Sequence, residues 1–354
     1  MTRTAVVFSP IYYRHNPGKN HPESAQRLHA IIHELDHGQL ANSRNWQFIT
    51  PEKASIDEVE LAHGIEYIRL VEAVCKSGGG MLDLEDTRVS RESYEVALQA
   101  VGGTLKAVKL VMAGEFQNTF ALVRPPGHHA GKYHACGFCL FNNIVVAAKY
   151  LITRSGFKRI LILDVDAHHG NGTQEAFYDT DKVLFISLHE DPSSFPGTGF
   201  IDEIGEGRGL GYNVNIPLPY GTGNHTYLEA MNEIVKPIMR QYEPQFILIS
   251  AGFDGLCKDP IANLKLTQIC YRRIFEIAAD VASEKCKGRL VSVLEGGYNV
   301  NSIGRAAATA IATLSGATYA FGDEARTTKE DASKQGERIL REVRRVQSTF
   351  WSID

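Results

Sequence analysis

The sequence predicts one α/β domain built on a mostly parallel sheet. Short apolar runs alternate with longer stretches of helical periodicity along the whole chain, which is the order of repeated βα units. The run Ile160–Leu163 is apolar throughout, as a strand covered on both faces reads. Four such runs end in polar sequences: RPPGHHA after Val123, DVDAHHG after Leu163, GFDG after Ala251 and EGGY after Leu294. In a parallel sheet these ends all lie at the carboxyl edge, where open α/β sheets place their ligands.

Taken in order, Thr4 to Phe8 reads as the first strand. A loop rich in Tyr, His and Asn follows over 12–21. Pro22 fits the first position of a helix whose apolar residues Leu28, Ile31, Ile32 and Leu35 recur at helical spacing, with Gly38 as its stop. Ser55 reads as the N-cap of a helix over 56–62, and Ile65 to Cys75 gives another. Gly78 to Gly80 break the pattern. A long helix over 92–113 ends at Gly114. The strand Thr119 to Val123 feeds a Pro-, Gly- and His-rich loop over 124–141, and a helix over 142–153 leads into the strand at Ile160. Strands are predicted at 182–188, 213–216, 246–250 and 290–294, and helices at 227–242, 267–285 and 302–314. The tail is charged, and a peripheral helix is expected over 330–347. With no repeat, linker or composition break, the reading is one domain over 1–320 and a charged helical extension over 321–354.

Composition excludes several classes. At 354 residues, 44% hydrophobic and 22% charged, the chain is long and apolar enough to bury a sizeable core. A net charge of −4 without any basic block leaves no electrostatic footprint for nucleic acid. No apolar run approaches the ~18 residues of a membrane span, and no secretory signal precedes Pro17. The six cysteines are scattered; Cys136 and Cys139 have CxxC spacing but no second pair. Free thiols in a reducing, cytoplasmic setting are the expectation.

The strand ends point to a metal hydrolase. Asp164, Asp166 and His168 stand two residues apart, so extended backbone would aim all three to one side. Asp166, His168 and Asp254 offer the three protein ligands that a catalytic zinc needs, with a fourth position open. Two anionic ligands leave such a metal less acidic than three imidazoles would, so a nearby base helps; His128-His129 supplies a candidate. An imidazole needs a partner on its other nitrogen, and Asp164 and Asn171 are free for this. Asp164 would raise the pKa of its histidine, whereas the neutral Asn171 would leave its partner nearer the ordinary value. Tyr298 follows two glycines that let the backbone come close, and its hydroxyl can donate to a developing oxyanion. Phe138 and Phe195 lie on two loops that can wall a narrow apolar slot. The target so far is an amide or ester carbonyl.

Together RPPGHHA, GFCLFNN, DVDAHHGNGTQEAFY, SLH with FPGTG, GYNVNIPLP, GFD with DP, and LEGGY resemble the histone deacetylase and acetylpolyamine amidohydrolase superfamily, in order, from about residue 5 to 320. The resemblance implies a three-layer αβα sandwich around an eight-stranded parallel sheet. It implies one zinc ion on Asp166, His168 and Asp254. His129 is then the general base and acid, His128 with Asp164 its electrostatic neighbour, and Tyr298 the residue that polarises the carbonyl. Phe138, Phe195 and Gly137 would form the acyl-lysine tunnel, with Ile261 near its rim and Arg27 in a channel behind the metal. Backbone carbonyls of Asp164, Asp166, His168, Ser187 and Leu188 resemble a structural potassium site, and Phe177, Thr180, Val183 and Tyr212 a looser second one. Asn171 and the loop Asn20 to Glu23 are similar to the class II and bacterial pattern.

Three alternatives share the fold or the site. A two-metal ureohydrolase needs further carboxylates where this chain has Gly170 and Leu256. A non-enzymatic acetyl-lysine binder is at odds with Tyr298 and a full ligand set. An acetylpolyamine amidohydrolase uses the same catalytic residues, and acidic residues at the tunnel mouth would favour its cationic substrates; Ile261 stands where some polyamine deacetylases resemble one another in carrying Glu. The expected partner is therefore an acylated lysine peptide or protein, or an acetylated polyamine.

Overall fold

The computed structural model describes residues 4–83, 86–320 and 330–353, with backbone alone at 330 and 331. Of the extension expected over 321–354, residues 321–329 and 354 lie outside the described residues.

The chain begins with β1 (Thr4–Val7), a short 3-10 turn (Pro10–Arg14), α1 (Ala25–His37) and β2 (Trp46–Ile49). Then come α2 (Ile56–Val59), α3 (Ile65–Lys76), a small hairpin of β3 (Gly79–Met81) and β4 (Arg88–Ser90), and α4 (Ser93–Met112). β5 (Asn118–Ala121), α5 (Asn143–Thr153), β6 (Ile160–Asp164), α6 (Asn171–Phe177), β7 (Val183–Glu190) and β8 (Asn213–Leu218) follow. The rest is α7 (Asn224–Ala230), α8 (Lys236–Tyr242), β9 (Phe246–Ala251), α9 (Gln268–Cys286), β10 (Leu290–Leu294), α10 (Ile303–Ser315) and α11 (Glu330–Gln347).

Eight strands form one sheet in the order β2-β1-β5-β10-β9-β6-β7-β8, and every neighbouring pair is parallel. One layer of helices, α4 and α5, covers β1, β5, β10, β6 and β9. α10 and α9, flanked by α1, α7 and α8, cover the other face. The parallel sheet is the one that the strand–helix alternation predicts, and the three-layer αβα sandwich around eight strands is the one that the family resemblance implies. The interior strands are buried along their whole length, which explains why apolar residues dominate them.

Side-chain caps fix the starts of α2 and α5. Ser55 and Glu58 form a capping box at α2: Ser55 Oγ accepts from Glu58 N at 3.3 Å and Glu58 Oε2 accepts from Ser55 N at 3.0 Å. Asn142 caps α5 by accepting from Val145 N at 3.1 Å. α1 begins at Ala25 with Ser24 as N-cap, not at Pro22. The helix predicted over 227–242 spans 224–242 but opens into a π-turn at Met231–Val235, just before Pro237. A wider turn accommodates the missing proline N–H. β2 and the β3–β4 hairpin escape the sequence reading because they are three or four residues long and only part-buried.

α11 rests against β8, the edge strand. Leu340 and Val343 are buried under it. Gln347 Nε2 donates to Asn213 O at 3.4 Å, and Trp351 Nε1 to Gly211 O at 3.0 Å. The charged composition of this helix belongs to its solvent side.

Candidate active site

β5, β10, β9 and β6 are consecutive in the sheet, so the four polar strand ends meet at one place. Backbone amides lock these ends together. Glu295, fully buried after β10, accepts from Gly127 N at 2.7 Å and His128 N at 3.1 Å in the loop after β5. Asp166 Oδ2 accepts from Gly296 N at 2.8 Å, and Asp254 Oδ1 from Ala167 N at 2.8 Å. Asp166 and Asp254 therefore each fix a neighbouring loop with one oxygen while holding the other for the centre, and Glu295 turns its other oxygen to Ser250 Oγ at 3.4 Å.

Side-chain alternation along an extended strand does not operate after β6. The strand ends at Asp164, and residues 165–169 leave the sheet in bends. Asp164 Oδ1 turns back to accept from Asp166 N at 3.1 Å, because a chain that leaves the ladder must satisfy its amides locally. Asp166 and His168 go on to meet Asp254: His168 Nδ1 is 3.0 Å from Asp254 Oδ2 and 3.3 Å from Asp166 Oδ1. The three donor atoms lie within 4.8 Å of one another. Asp166 and Asp254 are 1% and 0% exposed. Burial, and then the charge of Asp166, pushes Asp254 up to about 7. Two buried carboxylates side by side are costly without a cation, and hard oxygen plus imidazole is a donor set that fits a divalent metal ion.

The two adjacent histidines receive different partners. His128 Nδ1 is 3.0 Å from Asp164 Oδ2, and His129 Nδ1 is 2.7 Å from Asn171 Oδ1. The amide oxygen can only accept, so His129 carries its proton on Nδ1 and leaves Nε2 as the acceptor. Burial lowers His128, but Asp164 and Asp166 outweigh it and bring it up to about 10. Burial and the neighbouring His128 hold His129 well below its ordinary value. Two similar groups are thus driven apart, one charged and one neutral, which is the arrangement that separates an electrostatic role from a base.

Aromatic rings frame the approach. Phe195 lies edge-on to His129 and His168, with ring centres 5.0 and 5.9 Å apart. Phe138 meets Tyr298 edge-on at 5.7 Å. Gly137, with φ +53°, sits where a Cβ would fall 2.4 Å from His129 and 3.0 Å from Phe195, so only glycine leaves this wall open. Tyr298 is half-buried beside the cation of Arg27, 4.9 Å from its ring centre. Ile261 is half-buried on the loop after β9. Asp164 and Ser187 are paired across β6 and β7, so two of the residues named for potassium are neighbours. Ile261 joins the set through Asp259, whose Oδ1 accepts from Ile261 N at 3.0 Å and whose Oδ2 accepts from Tyr298 N at 2.7 Å.

Two buried residues, Glu23 and Asp259, lie in motifs quoted from the sequence but received no role there. Glu23 takes charge-assisted contacts from Arg27 and Arg124, at 3.1 and 2.6 Å, beneath the site. Asp259, at the Asp-Pro pair, reaches the backbone of Tyr298. Arg27 is one helical turn from Glu23, but Arg124 and Tyr298 stand 101 and 39 positions from their partners, so spacing does not reveal those contacts.

Comparison with known proteins agrees with this geometry. A family model described as histone deacetylase domain matches residues 21–314. The chain is 45% identical to a probable deacetylase of Archaeoglobus fulgidus over 297 residues, covering 84% of this chain and 82% of that protein. It is 38% identical over 305 residues to the histone deacetylase-like amidohydrolase of Pseudomonas aeruginosa, covering 86% and 79%. The crystal structure of the HDA15 HD domain superposes with a TM-score of 0.89 at 35% identity, covering 99% of this chain and 95% of that one. A parallel eight-stranded sandwich, a buried Asp–His–Asp group at its carboxyl edge and these likenesses converge: the chain belongs to the histone deacetylase family of amide hydrolases.

Proposed function

We propose that the chain is a zinc-dependent deacetylase that hydrolyses the amide of acyl-lysine side chains. The observation that carries the reading is the unequal pairing of two adjacent histidines, His128 on a carboxylate and His129 on an amide, beside the Asp166–His168–Asp254 donor group.

Those three residues would hold the zinc ion, which when bound supplies Lewis acidity at the acyl carbonyl and acidifies an attacking water. His129 Nε2 takes the proton of that water and returns it to the departing lysine nitrogen, while Asn171 keeps its tautomer fixed. His128, charged and paired with Asp164, stabilises negative charge as it develops. Tyr298 donates a hydrogen bond from its hydroxyl to the developing oxyanion. Phe138 and Phe195 hold the methylene stem, Gly137 keeps the passage open, and Ile261 sits at the rim. Structural potassium would bind the carbonyls of Asp164, Asp166, His168, Ser187 and Leu188.

The test is turnover of an acetyl-lysine peptide and of acetylated putrescine by one purified sample, with zinc and after chelation. The proposal expects chelator-sensitive turnover with the peptide preferred. Preference for the polyamine would move the substrate class to small amides, and turnover that survives chelation would remove the metal from the reading.

A further inference from the structure

Asp259 lies on the loop after β9 and is 8% exposed. Its two oxygens serve two different loops. Oδ2 accepts from Tyr298 N at 2.7 Å and Asn299 N at 3.1 Å. Oδ1 accepts from Ile261 N at 3.0 Å. Asn299 Nδ2 adds a second tie by donating to Lys258 O at 2.9 Å. Lys258 itself holds φ +76°, a left-handed conformation that a non-glycine residue keeps only where its surroundings over-determine it.

The opposite side of the same segment is held by Arg27. Its Nε donates to Gly297 O at 2.6 Å, and its Nη2 donates to Glu295 O. The peptide around Tyr298 is therefore gripped by a carboxylate on its amide side and a guanidinium on its carbonyl side. Such a grip is needed because Gly296 and Gly297 precede the tyrosine, and a glycine pair has little backbone preference of its own. Hydrogen bonds to an ionised group are the stronger kind, suited to fixing a segment that propensity leaves loose.

We propose that Asp259 is the positioning residue for Tyr298, and that it sets the tyrosine hydroxyl and the rim at Ile261 as one unit. The inference rests on the role given above to Tyr298. Asparagine is not an equivalent: it presents one oxygen and one NH2, so one of the two loops faces a donor instead of an acceptor.

The test is a double-mutant cycle read by steady-state kinetics on one acetyl-lysine peptide, using Tyr298→Phe, Asp259→Ala and the double variant. Tyr298→Phe is expected to lower kcat by about 10²- to 10³-fold. Asp259→Ala is expected to lower kcat by about 10- to 10²-fold through misplacement of the hydroxyl, and also to raise KM through the rim, which Tyr298→Phe leaves in place. In the Tyr298→Phe background, Asp259→Ala should change kcat by less than about two-fold, because the group it positions is already gone. The same kcat factor in both backgrounds, or a wild-type kcat for Asp259→Ala, overturns the inference while leaving the tyrosine's role intact. Full activity of Tyr298→Phe instead overturns the role of the tyrosine itself. If Asp259→Ala does not fold, the isosteric Asp259→Asn carries the same cycle, with the same outcomes deciding.

Discussion

Gly137→Ala places the sharpest demand on the proposed site. An ideal Cβ at this position would lie 2.4 Å from His129 Cδ2, 2.9 Å from Cγ and 3.0 Å from Phe195 Cζ. Ordinary contact begins at 3.4 Å, so the imidazole must give by 3.4 − 2.4 = 1.0 Å. It has little freedom to do so, being bonded to Asn171 at 2.7 Å and lying 4.0 Å, ring centre to centre, from His128. A displacement of this size in a reacting group costs about 10²-fold in rate. The backbone adds strain, since φ is +53° and alanine in the left-handed region costs about 1–2 kcal/mol. For a chain of 354 residues, an unfolding entropy of about 2.1 cal/mol/K per residue amounts to about 0.7 kcal/mol/K, so strain alone lowers Tm by about 1–3 °C. Gly114→Ala is the control: φ is +71°, nothing lies within 4 Å of its Cβ, and it sits on the turn after α4. The assay is kcat/KM on an acetyl-lysine peptide beside calorimetric Tm for both variants. Gly114→Ala should lose about 1–3 °C in Tm and Gly137→Ala more, because overlap with His129 adds to the strain, with activity lost only in Gly137→Ala. Wild-type kcat/KM in Gly137→Ala would refute the placement of His129 at the reacting centre.

Three further outcomes follow from the structure. Asp254→Ala removes one of two anionic donors and should reduce bound zinc to well below one equivalent by atomic absorption; full occupancy rules out this ligand. Truncation after residue 320 removes α11 and uncovers β8. Losing the buried Leu340 and Val343 costs about 1.5–3 kcal/mol each, so Tm should fall by about 4–9 °C, and an unchanged Tm would show that the helix is dispensable. Burial brings His63 down to about 4, while its Nδ1 donates to Gly131 O at 3.0 Å and Nε2 accepts from Asn142 N at 2.8 Å. Its folded pKa lies below the ordinary 6.5, so the unfolded chain binds the proton more readily, and stability present above about 6.5 is lost as pH falls towards 4. Urea unfolding at pH 7 and pH 5 should show the wild type losing about 2 kcal/mol relative to His63→Gln. Equal losses would mean the imidazole is protonated in the fold.

The candidate site is legible because its polar residues stand in short clusters at strand ends, and a parallel sheet brings strand ends to one edge. The chain's alternation of apolar runs and helical periods therefore carries most of the architecture before any contact is known. Short elements are less legible. β2 is half-exposed and four residues long, and the β3–β4 hairpin begins in three glycines that read as a break. α6 starts at Asn171, inside a stretch read for its ligands and not for its helix. Asp164, Asp166 and His168 do come together, but not by strand alternation: the ladder stops at Asp164, and nothing in the side-chain sequence marks where hydrogen bonding ends.

The sequence by itself determined the sheet class, the four polar strand ends and the residue types able to hold a metal ion and move a proton. Those depend on patterns that repeat within a few residues, which a linear reading captures. The tertiary structure decided which histidine meets the carboxylate and which the amide, which oxygens of Asp166 and Asp254 serve a backbone amide, and that Asp259 reaches Tyr298. Each of these is a choice of hydrogen-bond partner between residues some 36 to 130 positions apart. Such choices are made by the strand order that packing selects, because a buried polar group takes whichever partner the fold delivers within about 3 Å.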